Sequence, residues 1–548
     1  MTERLELADI QGNIVRAYGR FGFPHARYFL FHVAEAEAGR RFLRKLAPLV
    51  TTAERWEGGP DDSHQRGVPR PKVTLNIAIS ARGLAALGLP GESLRSLPEP
   101  LLQGMHHRAP LLGDEGDSGI DRWDRVWRDG VQLPEAAIHI LVSVSARMRD
   151  DGTPVPEFDE RSAMLRDLVA ELGGGVSLLS GHGPTESDFQ QAGALLLDAG
   201  DGRKRIDPRE HFGFVDGVGD PVFIGQFTPE AQRRRVKGRG KLTADGKWGP
   251  LATGEFVIGH VDESQEMTRA SKPDSLTRNG SFMAFRKLHQ DVGAFAEFMG
   301  AEARRFAAAR GIDDEVADQT LRAKMIGRWS NGVPLSVAPT WEDLQAFERE
   351  WADVAALRGR KDRNQDQEAR VQAWKEKLAD FSYRDDKAGI RCPIGAHIRR
   401  GNVRDHLDPS LYAGTPDTYN GSSLSNRRRI LRRGLPYGSF DPDATGADGE
   451  HGIIFIAVCA NLERQFEFVL QQWINYGMDN NSGNDTCPLL GTRPEGSKFV
   501  VQADPDSDDA PYIVTGLPQF VTTRGGEYFF IPGLTALRMI ATGTTDPV

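Results

Sequence analysis

The chain has little cysteine, no long apolar run and no surplus of positive charge. Its three cysteines, Cys392, Cys459 and Cys487, stand at separations that match no zinc-binding or covalent cofactor-attachment spacing, and an odd number cannot pair completely. A disulfide scaffold is not expected. Nowhere do about 18 apolar residues run together, so no membrane-spanning helix is expected. The amino-terminal stretch Met1 to Gly12 lacks a basic region followed by an apolar one, which makes the cytoplasm the expected compartment. With 68 Lys and Arg against 77 Asp and Glu, the formal net charge is −9. That balance argues against a general nucleic-acid or anionic-membrane surface and fits neutral or cationic small molecules better.

What the chain does have is length and regular patterning. Its 548 residues, 39% hydrophobic and 26% charged, exceed the usual size of one domain, so a domain pair with insertions is expected. Ala26 to Val33, Lys72 to Ile79, Ala137 to Val144 and Val176 to Leu179 read as strands, with helical stretches after Val33 and from Glu160 to Leu172,. The order is βαββαβ. It returns downstream with strands at Gly280 to Lys287, Arg428 to Arg432, Gly452 to Val458 and Tyr528 to Ile531, and helices at Asp291 to Ala308 and Leu462 to Ile474. This order favours an α+β architecture, antiparallel sheets with packed helices, although no sequence repeat accompanies it. A charged segment with apolar residues at helical intervals, Trp341 to Lys387, reads as a helical insertion.

Three stretches carry chemistry. Within His211-Phe-Gly-Phe-Val-Asp216-Gly-Val-Gly-Asp-Pro221, one carboxylate sits on a glycine-flanked bend between apolar residues, and a buried position under aromatic cover is expected for it. Cys392-Pro-Ile-Gly-Ala-His397-Ile-Arg-Arg400 supplies an imidazole, and Arg429-Ile-Leu-Arg432-Arg-Gly-Leu-Pro-Tyr437-Gly supplies a guanidinium. A ferric haem needs an axial donor, which a neutral imidazole provides while its second nitrogen donates a hydrogen bond. His397 is the candidate. Gly395 and Ala396 before it allow close approach of a flat macrocycle, and Arg399, Arg400 and Arg404 after it are candidates for meeting propionates. Splitting hydrogen peroxide requires a positioned acid/base, for which Asp216 is suited, and a fixed cation for the departing oxygen, for which Arg432 is chosen. Each has a structural alternative: a core histidine, a turn-capping Asp-Gly pair and a surface arginine. Gly217-Val-Gly219 lacks a following Lys-Ser/Thr for phosphate binding, and His106-His107 lacks the acid spacing of a zinc hydrolase.

Taken together, these pieces resemble the dye-decolourising peroxidase family, in its larger-insertion branch. The matching stretches are Asp9-Ile-Gln-Gly-Asn-Ile14, Phe212-Gly-Phe-Val-Asp-Gly217, Gly280-Ser-Phe-Met-Ala-Phe285, Gly327-Arg-Trp-Ser-Asn-Gly-Val-Pro-Leu335, Cys392 to His397, Ile430 to Gly438, Glu463-Arg-Gln-Phe-Glu-Phe468 and Tyr528-Phe-Phe-Ile-Pro532. They run in order along nearly the entire chain.

The resemblance implies two ferredoxin-like domains. Residues 1–205 form the first, and residues 206–548 the second, haem-binding one with the insertion at about 341–387. It implies one haem b per chain, His397 as axial ligand of the iron, Asp216 as acid/base and Arg432 beside it, with Arg400, Ile453 and Phe455 as further haem contacts. The implied reaction reduces hydrogen peroxide to water through an oxoferryl porphyrin-radical intermediate and oxidises dyes, phenols or other small one-electron donors. Because the reference pKa of aspartate is about 3.9 against about 6.5 for histidine, activity is expected to persist into acid. Glu467, Gln471, Gln472 and Asn475 stand as acceptors for the second nitrogen of His397. The alternative reading is a haem protein for storage, transport or iron release, which shares His397 but needs neither Asp216 nor Arg432. The physiological reductant and the oligomeric state are left open.

Overall fold

The computed structural model describes residues 5–57, 67–183, 186–217, 219–360, 362–408, 420–438, 450–493 and 496–544. Its centre is a ten-stranded antiparallel sheet. The first half of the chain contributes β1 (His25–Val33), α1 (Ala36–Leu46), β2 (Val73–Ile79), β3 (Ile140–Ala146), α2 (Glu157–Glu171), β4 (Val176–Leu178) and the edge strand β5 (Gln190–Gly193). The second contributes β6 (Ser281–Gln290), α3 (Val292–Arg310), α4 (Asp314–Ile326), α5 (Trp341–Gly359), α6 (Gln365–Lys377), β7 (Leu431–Arg432), β8 (Leu435–Tyr437), β9 (Gly452–Cys459), β10 (Val521–Ile531) and α7 (Leu534–Thr542).

The spatial strand order is β7-β9-β6-β10-β2-β3-β1-β4, with β8 also on β9 and β5 also on β1. Numbering the strands within each half, with β7 and β8 sharing the second place, gives the order 2-3-1-4 twice. The two halves meet where Phe530 of β10 pairs with Ile79 of β2. The α+β architecture read from the sequence is therefore present, as an internal repetition carried by topology.

Alternate residues of the same strands enter two different cores. Phe29, Phe31, Leu75, Ile77, Phe282 and Phe530 join Phe42 and Leu43 of α1, Leu165 of α2 and Leu537 of α7. Tyr28, Leu30, Leu141, Met283, Phe285, Ile456 and Phe529 face Trp127 of the helix Arg125–Gln132 and Ile10, Trp123, Phe223 and Phe256 from the connecting segments. Burial on both faces explains why these strands read as near-continuous apolar runs. Each such fully buried side chain contributes about 1.5–3 kcal/mol.

The charged insertion is helical, and its starts are written in the sequence. Thr340 with Asp343 and Asn364 with Gln367 form capping boxes at the amino ends of α5 and α6,. Trp351 stacks on Trp374 at 3.9 Å between ring centroids and joins the two helices. The stretch from Leu462 to Ile474, read as one helix, consists of two π-helical segments, Leu462–Glu467 and Val469–Ile474. No described helix is long and apolar enough to cross a membrane.

Candidate active site

Asp216 stands at the end of a bend that the preceding residues fix. Glu210 is buried and accepts the backbone N–H groups of Phe212 at 2.9 Å and Phe214 at 3.0 Å, and Gln290 Nε2 at 2.6 Å. Gly213 and Gly217 take φ of +89° and +79°, a region that side chains with a Cβ rarely enter,. The backbone N–H of Asp216 is held by Pro208 and that of Val215 by Ser330. Phe212 and Phe214 lie in an aromatic core with Phe295. The rings cover the bend but not the acid: the Asp216 side chain is 49% exposed, against the sequence expectation of a buried carboxylate.

Arg432 reaches Asp216 from a distant part of the chain. Its Nη1 lies 2.7 Å from Asp216 Oδ1, across 216 positions of sequence. Arg432 pairs with Ala457 across β7 and β9. Directly opposed residues share one face of a sheet and next-but-one residues along a strand share it too. Arg432 therefore projects on the same side as Ala457, Phe455 and Ile453. Burial of β9 alternates at this end, with Gly452 and Ile454 buried and Ile453 and Phe455 only partly so. Strands pair with β9 on both edges, so the partial exposure of these apolar side chains lies on the face of the sheet rather than at its edge.

Arg432 is surrounded by protein, yet its side chain is 36% accessible. Asp216 holds the guanidinium above its usual pKa by direct attraction, against the opposing effect of burial.

His397 opens the single-turn helix His397–Gly401. It is partly buried and lies within electrostatic reach of both Arg432 and Asp216. The structure thus brings the three sequence-predicted groups into one neighbourhood. The Nδ1 atom of His397 lies 3.2 Å from Sγ of Cys487. Burial disfavours charge on either partner, but their attraction outweighs it, raising the imidazole and lowering the thiol to about 6.

Two of the four expected acceptors are engaged elsewhere. Glu467 receives Arg108 and Tyr528, and Asn475 bonds Leu112 and Thr492. Gln471 is exposed.

The arginines after His397 are occupied differently from the sequence expectation. Arg400 is wholly buried and donates to the carbonyls of Trp473 and Asp485 at 3.1 and 2.6 Å. Arg399 pairs with Asp386 at 2.9 Å and lies over the Tyr383 ring. Arg404 donates to the carbonyls of Ala379 and Phe381. All three fasten the loops around His397 rather than present free cations.

Sequence reasoning overlooked Glu210, Asp220 and Cys487. Asp220 sits inside the motif around Asp216 and Glu210 directly before it, where their acidity was a visible signal. Cys487 had none, because its partner lies 90 positions away.

Residues 9–152 match the family model described as the DyP dimeric alpha+beta barrel domain, and residues 418–488 match that described as Dyp-type peroxidase, C-terminal. The chain is 27% identical over 554 residues to Peroxidase 2 of Mycetinis scorodonius, covering 97% of this chain and 87% of that protein. It is 26% identical over 557 residues to a multifunctional dye peroxidase of Amycolatopsis, covering 97% and 96%. The fold is shared with the crystal structure of a fungal DyP-type peroxidase from Auricularia auricula-judae. That match has a TM-score of 0.68 and 22% identity, and covers 98% of this chain and 100% of that one. With both models matched in order and named peroxidases aligned along nearly its whole length, the chain is similar throughout to dye-decolourising, or DyP-type, peroxidases.

Proposed function

We propose that this protein is a haem-dependent peroxidase that reduces hydrogen peroxide to water and oxidises dyes, phenols or other small one-electron donors. The observation that carries the reading is the partly exposed Asp216–Arg432 pair, 2.7 Å apart, with His397 within electrostatic reach of both. The relatives named as peroxidases and dye peroxidases support it.

The residues present fit a haem. With Nδ1 of His397 engaged by Cys487, Nε2 is the nitrogen for iron. Ile453 and Phe455 offer a partly uncovered apolar shelf on a central strand, suited to a flat macrocycle,. When bound, haem supplies the redox centre that takes oxidising equivalents from peroxide and passes them to the donor.

The protein's own contribution is proton placement and charge. Asp216 takes the proton from one peroxide oxygen and returns it to the other, so that the departing oxygen leaves as water. Arg432, fixed by Asp216 and permanently charged, stabilises the negative charge that develops on that oxygen. Ile453 and Phe455 keep the approach apolar. We further propose that the halves 1–205 and 206–548 are the two ferredoxin-like domains, the second carrying the cofactor. Their matching strand order supports that division.

An absorption spectrum with and without peroxide tests the reading. Protein supplied with haem is expected to show a ferric spectrum that changes on addition of hydrogen peroxide. Asp216→Asn keeps the cofactor and reacts about 10²–10⁴-fold more slowly, Arg432→Leu reacts about 10²–10³-fold more slowly, and His397→Ala loses the cofactor. A wild type that binds haem but ignores peroxide would favour a haem carrier instead. A wild-type rate in Asp216→Asn would remove the acid/base assignment.

A further inference from the structure

An axial imidazole needs a partner for its second nitrogen, because that hydrogen bond sets the ring's tautomer, its orientation and the basicity of the atom that meets iron. In this chain the neighbour is a sulfur. Cys487 is fully buried, with Sγ 3.2 Å from His397 Nδ1, within the longer range that sulfur acceptors adopt. The sulfur also receives the backbone N–H of Leu490, and Arg400 and Arg493 lie within electrostatic reach. Every one of these neighbours is a donor or a cation, so the sulfur acts as acceptor.

The frame around the pair is rigid. The backbone N–H of Cys487 donates to the Ile474 carbonyl at 2.7 Å, and its carbonyl receives Gly491 N–H at 3.0 Å and Arg493 Nη1. Arg400 stands on the same helical turn as His397. By binding the carbonyls of Trp473 and Asp485, it ties that turn both to the π-helical segment and to the loop two residues before Cys487. The separation of Nδ1 and Sγ is therefore fixed by covalent and hydrogen-bonded links on both sides. This gives the buried Arg400 a use.

We propose that Cys487 is the positioning residue for His397, its sulfur accepting the Nδ1 hydrogen and thereby orienting Nε2. The inference rests on the reading of His397 as the axial donor. A sulfur is larger and softer than a carboxylate oxygen, so the imidazole it holds is tuned by a polarisable acceptor.

The test uses the haem-loaded full chain. The readouts are the ferrous iron–histidine stretching frequency by resonance Raman, the ferric/ferrous midpoint potential, and the rate of haem transfer to an excess of apomyoglobin. Cys487→Ala is expected to lower the stretching frequency, raise the potential and weaken haem retention about 10- to 100-fold. Cys487→Asp, which restores an acceptor, moves frequency and potential back towards the wild-type values. Cys487→Ser is nearly isosteric and carries the comparison should either of the others fail to fold; it is expected to shift the frequency while retaining the cofactor. Wild-type frequency and potential in the Ala and Ser variants, with His397→Ala losing the cofactor, would overturn the role of Cys487 and leave the ligand intact. A normal ferric spectrum in His397→Ala would overturn the ligand itself.

Discussion

Asp220 accepts the backbone N–H of Arg432 at 3.0 Å. Its second oxygen pairs with Nη1 of Arg433 at 2.9 Å. The acid four residues beyond Asp216 thus anchors the strand that presents Arg432, so one bend of chain holds Asp216 directly and its cation through the backbone. Arg433 extends the link, donating to the carbonyls of Asn13 and Ile14 at 2.6 and 2.7 Å. The amino-terminal segment is in this way tied to the active site.

Removing that anchor separates position from charge. Asp220→Ala deprives Arg433, only 4% exposed, of its carboxylate, and breaking a buried ion pair costs about 3–5 kcal/mol. The three backbone carbonyls around Arg433 favour the lower end. Asp220→Asn keeps an oxygen for the Arg432 N–H and is expected to lose less stability and less peroxide reactivity. Urea unfolding and the rate of spectral change with peroxide measure the two effects. Equal stability and rate in wild type and Asp220→Ala would remove Asp220 from the site's support.

Glu210 makes stability depend on pH near neutrality. Burial, opposed by the N–H groups it accepts, pushes its carboxyl up to about 7, against about 4.3 in an unfolded chain. The native state then binds the proton more tightly than the unfolded state. The stability linked to protonation is full below about pH 4.3 and is lost as pH rises through about 7, by about 4 kcal/mol. Gln290 Oε1 is buried without a partner among the described residues. Rotation of that amide would let it accept the proton of neutral Glu210, since the two amide atoms exchange places at no covalent cost. The wild type is expected to lose stability between pH 5 and 8, as read by denaturant midpoints, whereas Glu210→Gln shows a flattened slope. Parallel curves for the two proteins would refute the assignment.

The strands and helices were legible in the sequence because both faces of the sheet are buried, which writes long apolar runs, and because side-chain polarity marks the caps of α5 and α6. Asp216, His397 and Arg432 were legible through short motifs with flanking glycines or small residues. Other features leave no local trace. A π-helix differs from an α-helix in its hydrogen bonds more than in its apolar spacing, so Leu462 to Ile474 read as ordinary helix. Arg428 to Ile430 read as strand, but Arg428 lies over the Phe468 ring and donates to the Arg464 carbonyl, and pairing begins only at Leu431. Arginines look like surface cations or anion partners when their acceptors are backbone carbonyls, which carry no sequence signature. That is why Arg399, Arg400 and Arg404 were expected to meet propionates and are found bound within the surrounding loops.

Arg399 is where this inward use of charge has its largest expected consequence. Its guanidinium has no exposure and meets Asp386 Oδ2 at 2.9 Å, the Cys392 carbonyl at 2.6 Å and the Asp386 carbonyl at 2.8 Å. Asp386 in turn accepts the backbone N–H groups of Arg391 and Cys392, the start of the turn that leads to His397. Arg399→Ala leaves a buried carboxylate short of its counter-charge, at a cost of about 3–5 kcal/mol, and releases the turn that carries the imidazole. Arg399→Lys is not expected to restore it, because one ammonium cannot reach three acceptors while lying flat against the Tyr383 ring,. Asp386→Asn keeps one of the two acceptor oxygens for the backbone N–H groups and removes the unpaired charge, so combined with Arg399→Ala it is expected to recover part of the loss. Denaturant unfolding of the single and double variants measures the coupling, and haem content after gel filtration measures its reach to His397. Additive losses in the double variant would show that the pair does not act as a unit.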